Sequence, residues 1–217
     1  MSQDDWYRRK TWTNDDREAF FARLKRSRSV FHKSQYVRIQ AHTLAEHGHH
    51  RDALELLDTL INEYPGRSQL AQAYLQRAEC HAVLGNADAA IENYVKVFEV
   101  EQDYPTVQTY AWLTYPWFIV ESGREDMYSH ALETIRNHED KRDLTFPIDV
   151  YRWAGVKAIL AEALGHHDLA REFAAKALDA SKQESSGFRY HPDVGLVSDT
   201  GSRIHEQLVA INGVSNR

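Results

Sequence analysis

The sequence predicts an all-α fold built from repeated helical pairs, and three observations carry that prediction. Four glycines, Gly48, Gly85, Gly123 and Gly165, stand 37, 38 and 42 residues apart. Each follows an apolar stretch of helical period and precedes another. Glycine and proline are otherwise scarce, 10 and 5 in 217 residues, which argues against a turn-rich β fold. Like elements recurring every roughly 20–50 residues are the mark of a repeat architecture, whose stacked units form long surfaces for holding other molecules.

The elements follow in order. Residues 14–28 form a capping helix, because Thr13 and Asp16 have capping-box spacing and Phe20, Phe21 and Leu24 make an apolar stripe. Residues 36–47 form the next helix, with Val37, Ala41 and Leu44 on one face and Gly48 at its end. Its partner spans 49–64, with Ala53, Leu56, Leu57 and Leu60 as its stripe, and Pro65-Gly66 stops it. The pattern returns at 70–85 and 86–102, then at 106–123 and 124–139. After the polar linker 140–146, Pro147 sits well at a first helical turn, and helices are expected over 148–165 and 166–182. Residues 183–201 read as irregular but packed. A final short helix covers 202–211, and the last residues fray. The expected segments are therefore 1–33 as an N-terminal cap, 34–183 as four helical pairs, and 184–217 as a C-terminal cap.

Composition excludes several classes. Hydrophobic residues make up 42% and charged residues 27%, as in ordinary soluble domains. The single cysteine, Cys80, forms no internal disulfide and points to a reducing compartment, so a cytoplasmic location is expected. The N-terminus lacks an apolar targeting run, and no window approaches ~18 apolar residues, so no membrane span is expected. The net charge of −6 is segregated: residues 1–40 carry +5 and residues 41–217 carry −11. The basic run RLKRSR (23–28) reads as a solvated helix face, either free or docked on the acidic body. No aromatic-interleaved groove accompanies it in the sequence, so nucleic acid is not expected as a partner.

The glycine-centred pairs resemble the tetratricopeptide repeat, a helix–turn–helix unit of about 34 residues. The first unit, from Ser34, supplies the family's small and large residues as Ala41, Gly48, Ala53, Leu57 and Leu60, with Pro65 at its end. The second, from Ala71, supplies Ala78, Gly85, Ala90, Tyr94 and Val97. The fourth, from Tyr151, supplies Ala158, Gly165, Ala170, Ala174 and Ala177. The third, from Thr109, departs: Pro116 and Tyr128 stand where small residues belong, although Trp112 holds the family's aromatic place.

The resemblance implies an all-α helical-repeat solenoid of antiparallel pairs, with an N-terminal capping helix and a C-terminal irregular segment plus short helix. It implies a concave face lined by the first helix of each pair. The residues that would meet a partner there are Arg38 and His42, then Gln72, Leu75 and Glu79, then Tyr110, Leu113 and Trp117, then Arg152 and Ile159. Gln35, Glu46, Val83, Glu121 and Glu162 extend the same rows. A protein or peptide is the implied partner, making the chain an adaptor or scaffold. An antidote that neutralises a toxin or enzyme is the alternative. The family's terminal-carboxylate clamp is not expected, because this face has acids where that clamp has asparagines.

Chemistry is sparse elsewhere. Serine elbows, phosphate-cradling glycine loops and HExxH motifs are absent, so no catalytic residue, cofactor or metal is assigned. His47, His49, His50, His166 and His167 read as exposed turn residues occupying one repeat position, although a zinc site needs convergent ligands of this type. Cys80 reads as a buried, inert thiol. The peptide FRYHPDVG (188–195) and the aromatic DWYRRKTW at the other end both read as caps over open repeat edges, with a binding tip as the alternative.

Overall fold

The computed structural model describes residues 5–213, which contain ten α-helices and no strand. These are α1 (Asn14–Leu24), α2 (Val30–Glu46), α3 (His50–Glu63), α4 (Arg67–Val83), α5 (Ala87–Asp103), α6 (Ala111–Glu121), α7 (Tyr128–His138), α8 (Pro147–Ala163), α9 (His167–Ser181) and α10 (Arg203–Gly213). Short 3₁₀ turns, Glu125–Met127 and Glu139–Lys141, flank α7. The chain divides into two compact units, Met1–Ala111 and Trp112–Arg217.

In unit 1, α2 pairs with α3 and α4 with α5, and α4 also packs on α3 and, less closely, on α2. The glycine turns behave as their spacing requires. Gly48, Gly85, Gly123 and Gly165 all adopt φ between +67° and +82°, a left-handed conformation that other residues enter only under strain. The enclosed core of the first pair contains Phe20, Val37, Leu44, Leu56, Leu57 and Leu60, and Trp6, Tyr7 and Trp12 pack on it from the N-terminal side. Gln40 is fully buried yet satisfied. Its Oε1 accepts from the Arg9 amide at 2.9 Å, and its Nε2 donates to the Arg9 carbonyl at 2.7 Å, which pins the opening segment.

The capping box at α1 is complete. Thr13 Oγ1 accepts from the Asp16 amide at 3.2 Å, and Asp16 Oδ2 accepts from the Thr13 amide at 3.0 Å. Both ends of the connection between α1 and α2 differ from the sequence reading. Helix α1 stops at Leu24, not 28, and α2 begins at Val30, not 36. Ser29 caps α2 by accepting from the His32 amide at 3.4 Å, and Val30, Phe31 and His32 are exposed, so no buried stripe announces that first turn.

In unit 2, α8 pairs with α9, and α10 packs on α9 and less closely on α8, the relation that α4 has to α3 and α2. The third pair departs. Helix α6 begins at Ala111, not 106, and contains Pro116, which removes one intrahelical donor. Tyr115 of α6 meets His130 of α7, the hydroxyl 3.0 Å from Nδ1. The segment after α9 is pinned to the start of α8. The Ile148 amide donates to the Gly195 carbonyl at 2.8 Å, and the Phe146 and Phe188 rings stand 5.3 Å apart.

Two outcomes follow. Ala90 is fully enclosed in α5, so Ala90→Leu should overpack its site by about 1–3 kcal/mol and lower the urea midpoint accordingly. Burial raises the Asp16 pKa, but the Thr13 amide, the Thr11 and Thr13 hydroxyls and Arg9 outweigh it and bring the carboxyl to about 2. A carboxyl depressed in the folded state stabilises above its unfolded pKa of 3.8, and that contribution is lost as pH falls through about 2. Asp16→Asn should therefore cost about 1 kcal/mol at neutral pH, the usual loss of a cap, and that cost should fade as pH drops through about 2. Urea unfolding of both proteins across that range is the check.

Candidate functional site

In unit 1 the first helices of the two pairs lie side by side. Arg38 Nε on α2 donates to Gln69 Oε1 on α4 at 2.6 Å, and burial lowers the Arg38 pKa. Along α2, Arg38, His42 and Glu46 recur every fourth residue and so share one face, as do Gln72, Glu79 and Val83 along α4. His42 Nε2 lies 3.4 Å from Glu46 Oε1, and both side chains are more than half exposed. Val83 is 66% exposed, a large apolar side chain on an otherwise polar strip. Arg77 fixes α4 from another side: its guanidinium meets Asp58 of α3 and donates to Asn93 Oδ1 of α5 at 3.0 Å.

Three of the residues expected to face a partner do not reach the surface. Leu75 is 2% exposed, Leu113 is fully buried and Ile159 is 6% exposed. Helix α4 is flanked by α2, α3 and α5, and α8 by α7, α9 and α10, so the apolar side chains on those helices are absorbed into packing. Tyr110, just before α6, stays 46% exposed.

In unit 2, Trp117 and Arg152 come together. The Arg152 guanidinium carbon lies 6.0 Å from the Trp117 ring centre, and the Trp117 and Tyr151 rings stand 5.4 Å apart. Arg152 Nε is buried without a hydrogen-bond partner among the described residues. Helix α10 closes over this pair, a role the sequence did not reveal. Arg203 donates to the carbonyls of Val120 and Glu121 at 3.0 and 2.6 Å, satisfying the last turn of α6. His205 Nδ1 lies 3.2 Å from the Tyr151 hydroxyl. Partial burial raises the Glu121 carboxyl, with Asp199 adding to the effect and Arg152, Arg203 and Trp117 opposing it. The apolar period of Ile204, Leu208 and Ile211 was legible, but the long reach of Arg203 back to α6 leaves no sequence pattern.

The other candidates sit in packing or local contacts. Burial, with Glu79 adding to it, pushes the Cys80 thiol up to about 12, so it is protonated at neutral pH. His47 Nδ1 lies 2.8 Å from the Thr43 carbonyl, His49 lies 3.7 Å from Asp52, and His167 lies 3.0 Å from Glu162. Among the described residues no group of three or more His, Cys, Asp or Glu side chains converges as a metal site would. Lys157 fills an aromatic box. Its ammonium is 4.7 Å from the Trp153 ring, 4.6 Å from Phe173 and 2.9 Å from Glu139, beside a cavity of about 310 Å³ that Trp112 also lines. At residues 188–195, the Ser186 amide donates to the Pro192 carbonyl at 2.7 Å and closes the base, while Tyr190 is 79% exposed. No helix among the described residues is long and apolar enough to cross a membrane.

Gly155 is the position where α6, α8 and α10 meet. A Cβ there would stand 3.2 Å from Trp117 Cζ3 and 3.4 Å from Leu208 Cδ1. Gly155→Leu should destabilise unit 2 by about 1–3 kcal/mol, measured by urea unfolding, and should alter tryptophan emission as Trp117 is displaced. Compared with protein-family models, curated proteins and solved structures, the chain matches none.

Proposed function

We propose that the chain is a non-enzymatic binding module, a tetratricopeptide-like helical-repeat solenoid whose first helices hold a protein or peptide partner. One observation carries this reading. The Arg38–Gln69 bond sets α2 and α4 side by side, so that Arg38, His42 and Glu46 run next to Gln72, Glu79 and Val83. Such a strip offers a partner hydrogen-bonding groups on a rigid two-helix platform, with one exposed apolar contact at Val83. Trp117 and Arg152 in unit 2 add an aromatic ring and a guanidinium, residue types that commonly anchor interfaces. Asp16 in its capping box and the buried Cys80 and Tyr115, the most shifted groups, sit where a structural role accounts for the shift.

The test is capture of a partner by the tagged chain from lysate of its native host. His42→Ala combined with Glu79→Ala, and separately Arg152→Ala, should each reduce recovery of the captured protein several-fold. His42 and Glu79 are exposed, so that variant should melt within about 0.5 kcal/mol of the parent. Undiminished recovery by both variants would sink the assignment of these faces.

A further inference from the structure

We propose that the N-terminal face of unit 1 binds single-stranded nucleic acid. In the sequence no aromatic residue is interleaved with the charges of the basic run 23–28, but folding brings rings toward its face. Lys25, Arg26 and Arg28 are exposed at the end of α1 and in the connection to α2, and none pairs with a carboxylate among the described residues. Among the described residues they form a solvated face. In the last turn of α1 the Arg23 guanidinium carbon lies 5.9 Å over the Trp6 ring, and Trp6 touches a row of rings. Phe31 and His32 are 5.5 Å apart, His32 and Tyr36 6.2 Å, and Tyr36 and Tyr7 4.8 Å. Arg8 sits 5.7 Å over Tyr7, on the same row. Phe31 is 49% exposed and His32 is exposed, while Tyr36 and Tyr7 are half-buried and held by Trp6.

Cations beside fixed rings match the chemistry of a single strand, whose phosphates take the charges and whose unpaired bases stack on the rings. A duplex keeps its bases inside and leaves the rings unused. An acidic peptide uses the cations alone. A lipid surface favours protruding apolar side chains, and here only Val30 and Phe31 protrude while the tyrosines stay half-buried. The net −11 over residues 41–217 repels a polyanion beyond this face, so the footprint is short and the binding sensitive to salt.

Fluorescence anisotropy with labelled oligo(U) and oligo(dT), each about 15 nucleotides long, tests the proposal. Both should bind. With about three phosphates neutralised, the logarithm of the affinity should fall with the logarithm of salt at a slope near −2. Charge reversal at Lys25→Glu, Arg26→Glu and Arg28→Glu together should weaken binding about tenfold or more and flatten that slope. Phe31→Ala should weaken binding about tenfold and leave the slope unchanged, because it removes stacking and no charge. These positions are exposed, and the milder set Lys25→Gln, Arg26→Gln and Arg28→Gln repeats the test without charge reversal. A preference for oligo(U) assigns RNA, and equal affinities assign backbone and stacking alone; either supports the proposal. It is overturned if no single strand binds, or if Phe31→Ala has no effect. It is equally overturned if a duplex of the same length binds as tightly, if polyglutamate competes as well as oligo(U), or if phosphatidylserine vesicles bind the chain where single strands do not.

Discussion

Close approach of helices at small side chains is the constraint on which the rest of this structure depends. Ala41, Ala53, Ala78, Ala90, Ala158 and Ala170 are fully enclosed within the packed pairs. Alanine leaves little between the backbones of two packed helices, so the connecting turn must be tight. Tightness is what drives Gly48, Gly85 and Gly165 into the left-handed region. The same alanines limit the apolar area any one pair can bury, since each contributes far less than a leucine. A pair therefore needs a neighbour, which is why α4 packs on α3 as well as α5, and why α10 closes the open side of α9.

Most of the helices were legible because their signals are local. The glycine turns, the Thr13–Asp16 box and Pro147 at the start of α8 each depend on residues within four positions of one another. Where the cue was missing, the boundary slipped. Helix α2 starts six residues early because Ser29 and three exposed residues carry no apolar period. The candidate surface was harder to read. The repeat pattern puts Leu75, Leu113 and Ile159 on partner-facing rows, but that pattern records which face of a helix a residue occupies, and neighbouring helices decide how much of the face stays open. On α4 and α8 three neighbours leave little of it, so Leu75 and Ile159 go inside while the longer, charged side chains still reach water.

The third pair shows what happens when the pattern is broken. Pro116 and Tyr128 stand where small residues allow close packing, and α6 runs only from Ala111 to Glu121. The fold compensates with contacts that the repeat does not need. Tyr115 reaches His130, and Arg203 supplies donors to the carbonyls at the end of α6 from more than eighty residues away. That end of α6 is therefore held by tertiary hydrogen bonds in addition to its local glycine turn, where the Arg124 amide donates to the Ile119 carbonyl at 3.1 Å. Trp117 pairs with Arg152 in the same region, where Leu208 of α10 and Trp117 of α6 both approach Gly155.

The exposed cations of unit 1 also have a physical cause. The acids near them are already engaged: Asp16 holds Arg9 at 2.5 Å and the two threonines, and Glu55 holds Arg17 at 2.9 Å. Lys25 and Arg26 sit at the C-terminal end of α1, where the helix dipole and its unpaired carbonyls favour positive charge. A cluster stabilised by a helix end keeps its charges turned toward solvent. The aromatic residues beside it are fixed for an independent reason, because Trp6 and Tyr36 close the core of the first pair. Charge and rings thus meet on one face through two separate requirements of folding, neither of which consumes the capacity of that face to bind an anion.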